Sequence, residues 1–282
     1  MKKTFVIIMA VAMLFLVSST VPAADKDTSD MLWARGYLNL GAYFATLDTG
    51  FRLGIGNIGL GITLDAEDFL GLDTTNAAFR IDGGYRFGKS RKHKLEASWF
   101  QFHRDAEKVL TEDVELPPEL GGETLPTGIT VNSIFDFDIY KIKYEYSFML
   151  DDRVDLNAGL GVFIMPMEFG IGQKNRELRS ESITAPLPVL GLGFDIALTP
   201  KWFLRQGIDL LYLEIDNFKG RILNPQFALE YWAWSHLGFG VGVDGMMVNI
   251  EADDDDAYPG IDFVGAAEFS YYGAQAYVKL YF

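Results

Sequence analysis

The chain has 282 residues and carries 24 Lys+Arg against 39 Asp+Glu, a formal net charge of −15. That balance excludes a nucleic-acid partner, whose phosphates need a basic face. The chain contains no cysteine, which excludes disulfides, so stability must come from packing and backbone pairing. Aromatic residues reach 14% and glycines number 29 while A/E/K/L-rich stretches are scarce, which points to an all-β protein.

The N-terminus comes first. Lys2 and Lys3 precede the apolar run Phe5 to Val17, and small residues follow at Val21-Pro22-Ala23 and Pro22-Ala23-Ala24. This is the pattern of a secretory signal peptide over 1–24, leaving 25–282 as a single domain exported by the general secretory route. The run is too short for a spanning helix, which needs about 20 residues. Losing Lys2 and Lys3 leaves 22 basic against 39 acidic residues, a net charge of −17. No apolar run of comparable length follows, so the mature chain has no helical span.

The first strand is predicted over 33–47, and a long connection over 48–75. Within that connection LGIGNIGLG spells Gly54-x-Gly56-x-x-Gly59, the dinucleotide fingerprint. The fingerprint needs a strand before it, a helix after it and an acid about 20 residues on. Only Leu64–Leu70 follows, two helical turns at most, so a nucleotide site is excluded. Three readings stay open: a longer first hairpin, an extra strand, or a glycine-rich lid folded over the mouth of the sheet.

Strict alternation then marks strand after strand. In 76–88, Phe79, Ile81, Tyr85 and Phe87 oppose Arg80, Asp82 and Arg86. In 134–149, Tyr140, Ile142, Tyr144, Tyr146 and Phe148 oppose Lys141, Lys143, Glu145 and Ser147. In 153–166, Leu156, Leu160, Val162 and Ile164 oppose Asp155, Asn157, Gly159 and Gly161. Strands at 93–104, 186–198, 202–216, 225–234, 237–250 and 263–282 complete a set of ten, with eight or twelve also compatible.

Tight connections at 88–93, 150–153, 199–201 and 234–237 alternate with longer ones at 48–75, 105–133, 172–185, 217–224 and 251–262. Phe87, Phe148, Trp202 and Trp234 stand near the tight turns, as an interfacial girdle does. Segments of about ten residues, apolar on one face and polar or glycine on the other, predict a closed antiparallel transmembrane β-barrel of about ten strands, with short periplasmic turns and longer external loops.

The chain ends YYGAQAYVKLYF, in which Tyr272, Ala274, Ala276, Val278, Leu280 and Phe282 form one row. This resembles the C-terminal strand of bacterial outer-membrane β-barrel proteins, the small OmpA/OmpW-type barrels in general pattern. The resemblance implies residence in the outer membrane, contact with its lipid and lipopolysaccharide, and reading of the last strand by the outer-membrane assembly machinery.

The expected lumen face carries Arg35, Arg80, Arg86, Lys94, Lys141, Lys143, Arg205 and Lys279 against Asp82, Glu96, Glu145, Asp155, Asp195, Asp209, Glu230 and Asp244. A ten-stranded barrel is narrow, and unpaired charges inside it cost several kcal/mol each, so these sixteen are expected to form a paired plug. Inward Gly159, Gly161, Gly191, Gly193, Gly240 and Gly242 are expected to leave room for long side chains from across the barrel. The negative charge then belongs to the loops. EADDDD at 251–256 has the oxygen ligands that suit a weakly held divalent cation, but it lacks the EF-hand pattern, and a solvated acidic loop is the plainer reading.

No cofactor or resident metal is expected. The leading functional reading is a plugged barrel with a surface structural, adhesion or envelope-integrity role. One alternative is a narrow channel or carrier for small solutes. A second is an outer-membrane hydrolase at the rim near His103, with Ser133, Asp136 and Asp138 at similar height. No G-x-S-x-G or H-E-x-x-H motif supports the hydrolase.

Overall fold

The computed structural model describes residues 34–53, 64–111, 113–115, 122–174, 176, 178–215, 218–252 and 265–282. The expected signal peptide, the whole glycine fingerprint and most of the EADDDD loop lie outside them. In chain order the elements are β1 (Gly36–Leu53), β2 (Leu64–Asp65), α1 (Ala66–Leu70), β3 (Thr75–Phe87), β4 (His93–Val109), β5 (Val114–Glu115), β6 (Thr124–Leu125), β7 (Thr130–Leu150), β8 (Val154–Gln173), β9 (Arg179–Ala197), β10 (Trp202–Ile215), β11 (Phe218–Trp234), β12 (Leu237–Ala252) and β13 (Gly265–Tyr281).

Ten of these strands are long. Each pairs antiparallel with its sequence neighbour, and β13 pairs back onto β1 from Tyr37↔Tyr281 to Leu53↔Gly265. The result is a ring of ten hydrogen-bonded strands without a free edge, as expected for a barrel wall. Among the described residues no helix is long and apolar enough to cross a membrane.

The tight turns are built locally. Asp151 Oδ1 accepts from the backbone N–H of Arg153 and of Val154, both at 2.8 Å. Thr199 Oγ1 does the same for Lys201 and Trp202 at 3.2 and 3.1 Å. These side chains hold the backbone in a turn before the next strand begins. Gly88 opens the first turn with φ of 78°, where a side chain would be strained. Two β-bulges sit at the same end of the barrel, between Ser147 and Met149 and between Trp232 and Trp234. The first leaves Phe148 and Met149 both exposed, and the second turns Trp232 inward and Trp234 outward. Phe87 and Trp202 are exposed at this end too, so the four girdle aromatics share one rim.

The strands outrun the expected boundaries at the opposite end. β8 and β9 are separated only by 174–178, and β10 and β11 only by 216–217, where longer connections were expected. β7 alone has 21 residues. At ~3.3 Å per residue and a tilt near 40°, it stands ~53 Å tall, about twice the ~25 Å apolar band of such barrels. About half of β7 therefore rises above the membrane. Polarity confirms where. On β7 the outward row is Tyr140, Ile142, Tyr144 and Tyr146 within the band, then Asp138 and Asp136 above it. On β4 it is Leu95, Ala97 and Trp99, then Gln101, His103 and Asp105.

Candidate functional site: a layered barrel interior

The interior is stacked in layers. At the girdle end, Phe203, Trp232, Tyr281 and Ala197 form a small buried floor. Trp232 stacks on Tyr281 with ring centroids 4.1 Å apart. Above the floor lies a belt of ion pairs. Arg86 Nη2 reaches Asp155 at 2.5 Å. Lys94 Nζ contacts Glu96 at 2.9 Å and Glu145 at 2.6 Å. Lys143 contacts Glu145, Asp209 and Glu96 at 3.1, 3.2 and 3.6 Å. Arg205 bridges Asp195 at 2.5 Å and Glu230 at 2.8 Å. Lys279 reaches Glu230 at 2.7 Å, and Arg80 holds both Asp82 and Asp244. Every one of the eight lumen carboxylates thus has a cation, as the cost of an unpaired buried charge demands.

Two of the expected basic residues depart from this scheme. Arg35 stands before β1 and is exposed, and among the described residues it joins none of the lumen carboxylates. Of the sixteen expected lumen residues, seven bases and eight acids therefore face the interior, and Arg104 joins them higher on the same row of β4. Lys141 is buried, but its Nζ donates to an amide, Asn224 Oδ1 at 2.6 Å, and lies over the rings of Phe163 and Phe100. Sequence reasoning missed the neutral members of the belt. Tyr37 donates its hydroxyl to Glu96 at 2.5 Å, and Tyr277 donates to Glu230 at 2.8 Å. Gln226 donates to Asp209 at 3.1 Å and Asn224 Oδ1 at 2.9 Å. Asn224 and Gln226 share the even-numbered inward row of β11 with Glu230, the one signal by which they could have been found.

The inward glycines make room for neighbours rather than for chains from across the barrel. Gly159 pairs with Glu145, Gly161 with Lys143, Gly193 with Asn157, and Gly240 with Tyr277. A Cβ on Gly240 lies 2.2 Å from Tyr277 Cζ, and one on Gly159 lies 2.7 Å from Glu145 Cγ. Each glycine lets the side chain directly opposite lie flat against the wall and lean into the lumen.

The upper half of the interior corrects a further expectation. It is not polar. Tyr43, Leu47, Phe100, Phe102, Phe135, Phe137, Ile139, Phe163 and Tyr271 belong to one buried apolar cluster there. Tyr43, Phe100, Phe102 and Tyr271 pack mutually with centroids 5.6 to 6.1 Å apart, several edge to face. The physical reason is the height of the wall. Above the membrane the outer surface meets water, so the strands bury their apolar row inward like any soluble barrel.

Connecting segments cover the mouth. α1 buries Ala66 and Leu70 in the same cluster, and the β5–β6 hairpin adds Val114 and Leu125. Glu67 of α1 receives Arg104 Nη1 at 2.5 Å and the backbone N–H of Thr49 at 2.9 Å. Arg104 Nη2 donates to Thr49 Oγ1 at 2.6 Å. The described part of the long first connection is thus folded over the mouth and latched there.

Between the aromatic layer and the floor lies a cavity of about 140 Å³. Its lining includes Tyr37, Lys94, Glu96, Lys143, Arg205 and Glu230. The interior could hold water and small polar species in this chamber. Among the described residues no group of three or more His, Asp or Glu is placed to hold a metal ion. His103 is exposed on the outer wall, directly across from Asp136. Asp136 accepts from the Arg104 backbone at 3.2 Å, and Asp138 accepts from Trp99 Nε1 at 2.9 Å. Ser133 is buried on the inward face and donates to Leu70 O, so it stands on the other side of the wall from His103. The C-terminal row Ala274, Ala276, Val278, Leu280 and Phe282 is exposed, with Tyr272 half-buried on the same outward face.

No protein-family model matches the chain, and no curated protein matches it. In structure it is similar to the outer membrane protease OmpT of Escherichia coli, with a TM-score of 0.53 at 9% identity over 87% of this chain and 97% of that one. It is more distantly similar to the attachment invasion locus protein Ail of Yersinia pestis, with a TM-score of 0.39 at 11% identity over 86% and 99% of the two chains. For Neisserial surface protein A the TM-score is 0.36 at 10% identity, over 88% and 97%. Ten antiparallel strands in a ring, an apolar belt with an aromatic rim, and the architecture shared with OmpT give the chain the fold of the bacterial outer-membrane β-barrel proteins.

Proposed function

We propose that the protein is a closed outer-membrane barrel that works through its wall and its raised outer rim, as a surface structural, adhesion or envelope-integrity protein. One observation carries this reading: the aromatic layer of Tyr43, Phe100, Phe102 and Tyr271 fills the lumen above the ion-pair belt. An ion crossing it must shed water into an apolar layer, at an idealised cost on the order of 20 kcal/mol. The Trp232–Tyr281 floor narrows the other end. The outward C-terminal row supports assembly by the outer-membrane machinery.

The chamber favours a second reading, a narrow path for small polar solutes, because its lining is charged and hydrogen-bonding. Planar-bilayer recording separates the two. The closed-barrel reading predicts no steady conductance from the native protein, and current from the variant with Phe100→Ala and Phe102→Ala. Steady single-channel steps from the native protein would overturn it. The hydrolase reading has only the His103–Asp136 cross-strand pair in its favour.

A further inference from the structure

Seven bases meet eight acids in the lumen belt, and the missing positive charge can be placed. Arg205 and Lys279 match Asp195 and Glu230, and Arg86 matches Asp155. Lys94 and Lys143 serve three carboxylates, Glu96, Glu145 and Asp209. Arg80 alone serves two, Asp82 and Asp244. Lys141 is the base that remains to offset these two deficits, and its Nζ is engaged by the neutral oxygen of Asn224. Arg104, higher in the lumen, is taken by Glu67 of α1. The belt is therefore one cation short.

Unpartnered oxygens stand at the Arg80 deficit. Asn39 on β1, Asp82 on β3 and Ser98 on β4 are successive register partners, Asn39↔Asp82 and Asp82↔Ser98. Directly opposite residues on neighbouring strands have Cβ atoms about 5 Å apart, so these inward side chains form one short arc. All three line the cavity of about 140 Å³. Asn39 is 8% exposed, yet its Oδ1 has no hydrogen-bond partner among the described residues, and Ser98 Oγ has none either. Asp82 accepts Arg80 Nε on its two oxygens at 2.9 and 3.1 Å, which leaves acceptor capacity on both. The next register neighbours of the arc are Lys279 and Lys141, and they direct their Nζ elsewhere, to Glu230 and to Asn224. Asn157, 2% exposed, brings a further unpartnered Oδ1 to the same cavity from β8.

The geometry points to Asn39, Asp82 and Ser98 as a site for a small monovalent cation, sodium or potassium, held inside the lumen. The arc offers an amide oxygen, a hydroxyl and a carboxylate, hard oxygens of the kind that replace the hydration shell of an alkali ion. It is short of positive charge and not of acceptors. One positive charge balances the belt, and two would overshoot. A divalent ion asks for several carboxylates or histidines, and among the described residues no group of three is so placed. The cavity has room for the ion and for a few waters at ~30 Å³ each, which complete its shell together with Asn157. The site goes beyond the closed-barrel reading and does not depend on it: in a conducting lumen the ion exchanges freely, and in a closed one it is taken up as the barrel folds.

The test is urea unfolding of the full barrel in lipid vesicles, read by heat-modifiable gel mobility, in sodium, potassium or N-methylglucamine chloride at equal concentration. Sodium or potassium shifts the unfolding equilibrium of the native protein about ten-fold toward the folded state relative to N-methylglucamine, as a ligand at about ten times its Kd does. Ser98→Ala and Asn39→Leu each remove one oxygen of the arc and reduce that preference to about two-fold or less. Asp254→Asn with Asp255→Asn, in the acidic loop, leaves it unchanged. Crystals grown with thallium(I), an anomalously scattering stand-in for potassium, show a peak among the three side chains. Equal stability in the three salts, or no thallium peak in the cavity, overturns the proposal and leaves the chamber to water. A cation preference that survives in both arc variants, or that disappears with the loop acids, overturns the location. Ser98→Ala, a change of one oxygen atom, carries the test should Asn39→Leu fail to fold.

Discussion

Replacing Glu230 by Gln isolates the electrostatic cost of the lumen belt from its packing. Glu230 accepts from Arg205 Nε at 2.8 Å, Lys279 Nζ at 2.7 Å and the Tyr277 hydroxyl at 2.8 Å, and its side chain is 2% exposed. Glutamine keeps the volume and one acceptor oxygen but removes the charge that two buried cations share. Arg205 retains Asp195 at 2.5 Å. Lys279 retains the faces of Tyr37 and Tyr281, 4.2 and 5.5 Å from Nζ, and the more distant charge of Asp195. Removing one partner of a buried pair costs about 3–5 kcal/mol. Glu230 also lines the cavity, where water can solvate Lys279 in part, so ~2–4 kcal/mol is expected. At ~1.4 kcal/mol per decade, that is ~30- to 1000-fold in the unfolding equilibrium. Urea titration of the barrel in lipid vesicles, read by heat-modifiable gel mobility, measures it. Adding Lys279→Met removes the orphaned cation, so the double variant loses less than the sum of the singles, by at least ~1 kcal/mol. A single-variant loss below ~0.5 kcal/mol, or strict additivity of the two changes, would refute the claim that the belt is a coupled electrostatic unit.

Two further outcomes follow from the same geometry. Gly240→Ala places a methyl 2.2 Å from the Tyr277 ring, which is rigid and anchored by Glu230, so the barrel loses ~1–3 kcal/mol. Adding Tyr277→Ala relieves the clash, and the same urea titration then shows less damage from the alanine at 240; equal damage in both backgrounds counts against the account. Arg104→Gln removes the pair to Glu67 that latches α1 over the mouth, weakening the closed lid by ~1–3 kcal/mol. Hydrogen exchange at 66–70 then rises about ten-fold or more while exchange in β7 is unchanged, and protection that stays at the native level would show that apolar contacts alone hold the lid.

The wall was legible because its rule is short-ranged. A lipid-facing residue is apolar and its neighbour is not, so YKIKYEYSFM declares both faces with no knowledge of the partner strand. The stretch SIFDFDIY records a change in the solvent outside the wall, and the predicted strand 134–149 already runs through it. Odd residues face inward on β7 as far as the bulge after Ser147, yet within the membrane they are Lys141, Lys143 and Glu145, and above it Phe135, Phe137 and Ile139. The pleat does not change; the solvent outside does. The polar and apolar rows therefore swap between Ile139 and Tyr140. The same swap falls between Trp99 and Phe100 on β4. A phase reversal on adjacent strands, with no turn residues between, is the sequence mark of a barrel that stands taller than its membrane.

The pairing inside the lumen was not legible, and the height of the wall explains that too. Arg80 and its partner Asp244 are 164 residues apart in sequence, joined only by closure of the ring. Charge counting on inward rows treats all lumen residues as equivalent, but depth makes them different. Lys141 is the clearest instance. It stands at the top of the belt, where the next inward residue on its own strand is Ile139 and the neighbouring rings are Phe100 and Phe163. Carboxylates lower in the belt already have cations, so Lys141 is held by an amide and by ring faces, both compatible with the apolar layer above it. The boundary between ion pairs and aromatics is therefore made by cations lying under rings, Arg80 beneath Phe100 at 5.0 Å as well as Lys141. Asp244 reaches the same level as the partner of Arg80, whose guanidinium stands between it and the ring of Phe100 as the cation of both contacts.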